Sequence, residues 1–223
     1  MLKKFLITLI SFIISINVFA QRPIPAEIKT KKIKKIITTH QEQGSEISTK
    51  SETYYDAQGN DTAEYSGGLR TWYYVIEYNK NVKPTKITEY NADGTQKGIT
   101  IYSYKPDGSY TSTFTDEQFG MKDVDLYNKD GQILQSTIPD GTVIKYVYNS
   151  KKLLIKKFSI PKNGGVKFTE QFTYDAKNKM TSKKREGDYP GTEKYEYDSK
   201  GLLKKIEFTS EGYSGSSSFE YIY

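Results

Sequence analysis

The sequence contains no cysteine and a single histidine, His40. Without cysteine there are no disulfides, no thiol nucleophile, no thiolate metal site and no lipid attached through a cysteine. With one histidine, any nucleophile–histidine pair must use His40, in ITTHQEQ, which reads as an exposed strand-end residue. Metal sites draw on His or Cys clusters, and neither exists. The D-x-[DN]-x-[DN]-G calcium loop is missing, and the glycines sit in turns with no following helix to hold a phosphate. After residue 20 there is no helical periodicity and no apolar run long enough for a membrane helix.

What is present begins with the leader MLKKFLITLISFIISINVFAQ. Lys3 and Lys4 precede an apolar stretch from Phe5 to Phe19, and Val18-Phe19-Ala20 offers a small-residue cleavage site before Gln21. Residues 1–20 therefore read as a secretory signal peptide. The apolar run is broken by Ser11, Ser15 and Asn17, which argues against an uncleaved anchor. Export without disulfides means that burial must hold the fold. Composition agrees with order: 20 tyrosines and 10 phenylalanines stand in a chain whose mean hydropathy is −0.70. Tyrosine reconciles these numbers, because it buries a ring while its hydroxyl stays bonded or wet.

The tyrosines are periodic. Tyr55, Tyr78, Tyr104, Tyr127, Tyr148, Tyr174, Tyr197 and Tyr221 recur at spacings of 21 to 26 residues, with Tyr90 as an extra copy. Two residues before most of them stands another apolar or aromatic residue, such as Ile76, Tyr102, Tyr146, Phe172, Tyr195 or Phe219. The residue between is polar, as at Glu77, Glu196 and Glu220, which is the period of a half-buried strand. A tight turn follows: DAQG at 56–59, KPDG at 105–108, NKDG at 128–131 and DSKG at 198–201. Asp or Asn opens such a turn by bonding forward to the backbone, and Gly supplies the positive φ that closes it. Where the glycine is missing in DAKN, at 175–178, Asn178 is the residue able to take the left-handed conformation. Six residues after the tyrosine an apolar side chain returns, as Tyr110, Ile133, Leu154, Met180 and Leu203. The first two units are degenerate there, with Asp61 and Pro84.

Each unit is thus strand, tight turn, strand, looser turn. The expected fold is all-β, an antiparallel meander of about 16 short strands built from roughly 23-residue hairpins. Residues 21–27 read as an extended leader, 28–223 as one repeat domain, and Ile28 to Thr39 as the first strand. One row of tyrosines cannot offset the cost of ordering so much backbone. The sheet must therefore curl or wrap so that its aromatic face closes on itself.

The motif Tyr-Asp-x-x-Gly-x-Leu resembles the RHS/YD-repeat family. YDSKGLL at 197–203 matches it fully, and YNKDGQI at 127–133 matches with conservative changes. The resemblance covers roughly 50–223. It implies a small solitary relative of proteins whose sheets wrap into shells that enclose a toxin or bind partners at a surface.

The function expected from these features is an exported, non-catalytic binding or scaffold module of the periplasm, envelope or cell surface. Lys156, Lys157, Lys183, Lys184, Lys204 and Lys205 recur after successive turns. Stacked into a stripe beside tyrosines, they would suit an acidic glycan or another envelope polyanion. Nucleic acid does not fit an exported chain, and no cofactor is implied. An outer-membrane barrel is an alternative, since Phe219, Tyr221 and Tyr223 alternate to the end of the sequence. Strands of about eight residues, tilted as in such barrels, cover only about 19 Å of a roughly 25 Å apolar band. A carboxylate-based glycan hydrolase is a further alternative, with Glu77, Glu170, Glu196 and Glu220 on expected strands.

Overall fold

The computed structural model describes residues 25–45 and 48–223. The signal peptide and most of the leader lie outside them. A short helix, α1 (Pro25–Thr30), comes first. Then follow β1 (Lys35–Glu42), β2 (Ser48–Tyr55), β3 (Asp61–Ser66), β4 (Leu69–Tyr78), β5 (Pro84–Asn91) and β6 (Gln96–Tyr104). The chain continues through β7 (Tyr110–Asp116), β8 (Lys122–Tyr127), β9 (Ile133–Thr137), β10 (Val143–Tyr148) and β11 (Leu154–Ile160). It ends with β12 (Phe168–Tyr174), β13 (Met180–Gly187), β14 (Gly191–Tyr197), β15 (Leu203–Ser210) and β16 (Tyr213–Ile222). Each strand pairs antiparallel with the next, and β16 pairs with β1, from Lys35↔Ile222 to Glu42↔Gly215. The expected meander is therefore a closed barrel of 16 strands.

The tight turns share one geometry. In the first, Asp56 N–H bonds the Asn60 carbonyl at 2.9 Å and Gly59 N–H returns to the Asp56 carbonyl at 3.1 Å. The Asp56 carboxylate accepts from the N–H groups of Gln58 and Asn60, both at 2.9 Å. The fourth turn residue is left-handed: φ is 88° at Gly59, 62° at Lys152 and 62° at Asn178. This is a hairpin closed by a one-residue bulge, and the ladder slips accordingly between Glu77 and Tyr78, Val147 and Tyr148, and Glu196 and Tyr197. The slip pairs the repeat tyrosine with the residue six positions later, as in Tyr148↔Leu154 and Tyr197↔Leu203; Tyr104↔Tyr110 reaches the same pairing without a slip.

Five of the repeat tyrosines also tie their unit to the backbone of the one before, whereas Tyr78 donates to the Asp56 carboxylate and Tyr127 to Asp125 on its own strand. Tyr104 donates to the Pro84 carbonyl at 2.8 Å, Tyr148 to Ile133 at 2.9 Å and Tyr174 to Leu154 at 2.7 Å. Tyr197 donates to Met180 at 3.0 Å and Tyr221 to Leu203 at 2.7 Å. Every backbone acceptor is the sixth residue after the preceding repeat tyrosine, where the bulge disturbs the ladder. These tyrosines are therefore latches as well as buried rings. Burial pushes the Tyr148 and Tyr174 hydroxyls up to about 12.

Two apolar clusters are buried. Phe172, Met180, Tyr195, Leu203 and Ile206 pack on the inner face of β12–β15. Ile28, Ile33, Ile36 and Leu202 pack at the β1–β16 seam, with Tyr55, Phe219 and Tyr221 against them.

The chain's first ordered segment departs from expectation. The predicted strand from Ile28 and the extended leader give way to α1, and β1 starts at Lys35. Proline suits a first helical turn, where its missing N–H costs nothing. Lys32, at φ 54°, ends α1: its N–H bonds the Lys29 carbonyl at 3.1 Å, and Ile33 N–H bonds the Ile28 carbonyl at 3.0 Å. The stop brings Ile33 against Ile28, the apolar contact that accompanies such a cap.

The barrel interior and outer wall as candidate binding surfaces

Register decides which side chains share the interior. The inner face of β11–β14 carries a row of opposite charges directly across the strands: Lys157↔Glu170, Glu170↔Arg185 and Lys183↔Glu193. Lys157 Nζ lies 2.8 Å from one Glu170 oxygen and Arg185 Nη1 lies 3.3 Å from the other. Glu193 pairs with Lys183 through one oxygen and accepts the Tyr195 hydroxyl on the other. The Glu170 side chain is 1% exposed. Burial alone would raise its pKa, but Lys157, Lys183 and Arg185 together hold it below the ordinary carboxylate value. Burial, reinforced by Glu193, pushes the Tyr195 hydroxyl far up. Arg185 lies over the Phe168 ring at 4.0 Å, and its Nε bonds the Asp188 carbonyl at 2.8 Å. The cluster therefore reaches the barrel end formed by the β13–β14 connection.

A second inner surface, on β7–β10, is rich in hydroxyls and acids. Asp125 accepts from Tyr127 at 3.2 Å and from Ser112 at 3.4 Å. Ser136 and Tyr146 share a bond at 3.2 Å. Tyr110 stacks on Tyr127 with centroids 4.4 Å apart, and Tyr104 of β6 meets Tyr110 at a tilt, 5.1 Å away. Asp123 lies on the same face, and its carboxyl is raised, first by burial and then by Asp125.

His40 also faces inward, contrary to the expected exposed strand end. It is half-buried, stacked on Phe208 at 5.4 Å, with Nδ1 3.1 Å from Ser217 Oγ and Nε2 3.2 Å from the Tyr213 hydroxyl. Pairing of β1 with β16 places Ser217 opposite His40, a contact that needs the closure to be visible. Burial lowers the His40 pKa. A serine beside a neutral imidazole is the arrangement of an activated hydroxyl. Here, however, a tyrosine rather than a carboxylate holds the other ring nitrogen, and Ser217 sits within a strand paired on both sides.

The six lysines read as a stripe do not form one. Lys157 and Lys183 point into the interior ion pairs, whereas Lys156, Lys184, Lys204 and Lys205 face outward. Consecutive strand residues alternate faces, so each of the first two pairs is split. The bulge opposite Tyr197 turns both Lys204 and Lys205 out. Outside, Lys184 pairs with Glu186 and Lys205 with Glu207, each at 2.7 Å. Glu77, Glu196 and Glu220 lie on the outer face as expected, whereas Glu170 lies inside. Among the described residues no group of His, Cys, Asp or Glu is placed to hold a metal, and no helix is long and apolar enough to cross a membrane.

No protein-family model matches the chain, and no curated protein matches it. Solved structures do show likeness. One is a porin-like protein from Bacteroides uniformis ATCC 8492, at 11% identity and TM-score 0.42, covering 85% of this chain and 98% of that one. Another is a chain of the TcdB2-TccC3-Cdc42 structure, at 13% identity and TM-score 0.34, covering 71% of this chain and 10% of that one. At these scores neither likeness bears on function, which rests on the barrel's own residues.

Proposed function

We propose that this protein is an exported, non-catalytic barrel of the RHS/YD-repeat type that works outside the lipid bilayer as a binding module of the cell envelope. Export rests on the signal peptide read in residues 1–20. The observation that carries the rest is the outer wall. Lys145, Lys156, Lys184 and Lys194 stand exposed on the outer face in the middle stretches of β10, β11, β13 and β14. In a bilayer each charge near the midplane costs about 2–4 kcal/mol. Water is the solvent such a wall fits. The polar interior, with its charged and hydroxyl-rich surfaces, is then the binding face, and an acidic glycan is the class of partner.

An outer-membrane barrel is the second reading, because the outer face does carry Ile101, Leu134, Val147 and Ile155, each more than a third exposed, on β6 and β9–β11. Sedimentation of residues 21–223 in detergent-free buffer separates the two. A soluble, compact species is expected. Aggregation that detergent or lipid reverses would establish the membrane barrel instead.

A further inference from the structure

The interior charge cluster does not balance. Lys157, Lys183 and Arg185 face two carboxylates, Glu170 and Glu193. Each Glu170 oxygen faces a cation, Lys157 across an ion pair at 2.8 Å and Arg185 through a hydrogen bond, and the Glu193 oxygens meet Lys183 and the Tyr195 hydroxyl. The nearby acids are engaged elsewhere: Glu186 pairs with Lys184 on the outer face, and Asp188 with Lys167 at 3.8 Å. One positive charge is left over in this row, where charge is costly to bury; the inner carboxylates Asp123 and Asp125 lie on β8, three strands from Lys157. A cluster serving only the fold would lose nothing by having equal numbers of each sign.

We infer that the Lys157–Arg185 surface is a binding site for one sugar carboxylate, an inference that rests on the binding-module reading and names its ligand class. The surplus is a single charge, which matches a monoanion. Arg185 spends Nε on Asp188 and Nη1 on Glu170, so Nη2 remains to meet a carboxylate, and a guanidinium suits that geometry. The neighbouring inner wall suits the rest of a sugar. Tyr146 stands directly across from Lys157, and its hydroxyl shares a bond with Ser136 on β9. From β11 to β9 is two strand spacings, about 10 Å. A cationic end and a hydroxyl-rich, aromatic end are thus set side by side, with Asp125 opposite Ser136 and held by Tyr127 and Ser112; the carboxylate of a uronic acid belongs at the first end and its hydroxyls at the second. Aromatic rings take the apolar faces of sugars, while hydroxyls and amides take their rims.

Calorimetric titration of residues 21–223 with sodium glucuronate, at low ionic strength, tests the site. Glucose and sodium sulfate serve as the uncharged-sugar and bare-anion probes. Saturable glucuronate binding is expected, at least tenfold tighter than either. The Arg185→Gln variant should lose at least tenfold, because it removes the surplus charge yet leaves Lys157 on Glu170. Should that variant fail to fold, Lys157→Gln makes the same subtraction and leaves Arg185 on Glu170. The outer-wall double variant Lys204→Gln/Lys205→Gln should bind like the parent. Absence of saturable binding, equal affinity for sulfate, retention in a folded Arg185→Gln variant, or loss in the outer-wall variant would each overturn the site. A barrel that stays soluble without binding glucuronate discards this site alone. A barrel that needs detergent discards the binding-module reading with it.

Discussion

The two halves of the ring are built from the same unit and buried by different means. Among the described residues from β2 to β11, every buried side chain is small or polar: Thr53, Thr88, Ser112, Asp116, Ser136, Thr142 and Ser159. From β12 to β15, Phe172, Met180, Tyr195, Leu203 and Ile206 form a dry cluster. The first half substitutes ring-on-ring contacts, with Tyr110–Tyr127 at 4.4 Å inside and Tyr73–Tyr90 at 4.9 Å outside. Such pairs contribute about 0.5–1.5 kcal/mol each beyond their burial. Turn chemistry is spread around the whole ring and the latches run from Tyr104 to Tyr221, while apolar burial is concentrated in the last third and at the seam. Register and stability are therefore separable here: the repeat sets the first everywhere, and a few large side chains supply much of the second locally.

The sharpest test of that separation uses one repeat position in two units. Leu203 and Ile133 both sit six residues after a repeat tyrosine, but Leu203 is 2% exposed and belongs to the dry cluster, while Ile133 is only half-buried. Leu203→Ala should cost about 2–5 kcal/mol in urea unfolding, and Ile133→Ala a small fraction of that. Equal losses would mean that burial is as uniform as the repeat.

Much of this was legible from residue order, and the failures are instructive. Periodic tyrosines, Asx-initiated turns and the apolar return six residues later are local patterns, and the hairpins follow from them. Asn178 in the left-handed position was readable from its turn. The split of Lys156 from Lys157 is also readable, since neighbouring strand residues face opposite ways and recurrence of the pairs does not put both members on one face. The Lys157–Glu170–Arg185 row was not readable. Its members belong to three strands: Lys157↔Glu170 is set by the long β11–β12 connection, whose ladder has no slip, and Glu170↔Arg185 by the bulged β12–β13 hairpin. Closure of β16 on β1, and with it the environment of His40, depends on the twist accumulated over the whole ring.

A smaller effect sharpens the claim that the latches are shared. Tyr174→Phe removes the 2.7 Å bond to the Leu154 carbonyl and should cost about 0.5–1.5 kcal/mol. Tyr90→Phe, in the outer stack on Tyr73, keeps its ring contact and should be nearly silent. Chemical denaturation of both variants checks the pair. If Tyr90→Phe costs as much, the latch has no special place in the unit.

The smallest expected effect has the opposite sign, and it compares the acids of the two halves. Glu170, among cations, is held below its ordinary pKa, so it contributes stability at neutral pH that is lost as pH falls through its depressed folded value. Asp123 is held above its ordinary pKa, by burial first and Asp125 second, and its buried Oδ1 has no hydrogen-bond partner. Its ionised form is penalised in the folded state, so the protein carries that cost at neutral pH and sheds it as pH falls through the raised value. Asp123→Asn should therefore raise the urea midpoint slightly at neutral pH, and the gain should shrink on acidification as the parent's carboxyl protonates. A variant that loses stability at neutral pH would show that the Asp123 charge is held by a favourable contact, and that the acidic wall is built as tightly as the cationic one.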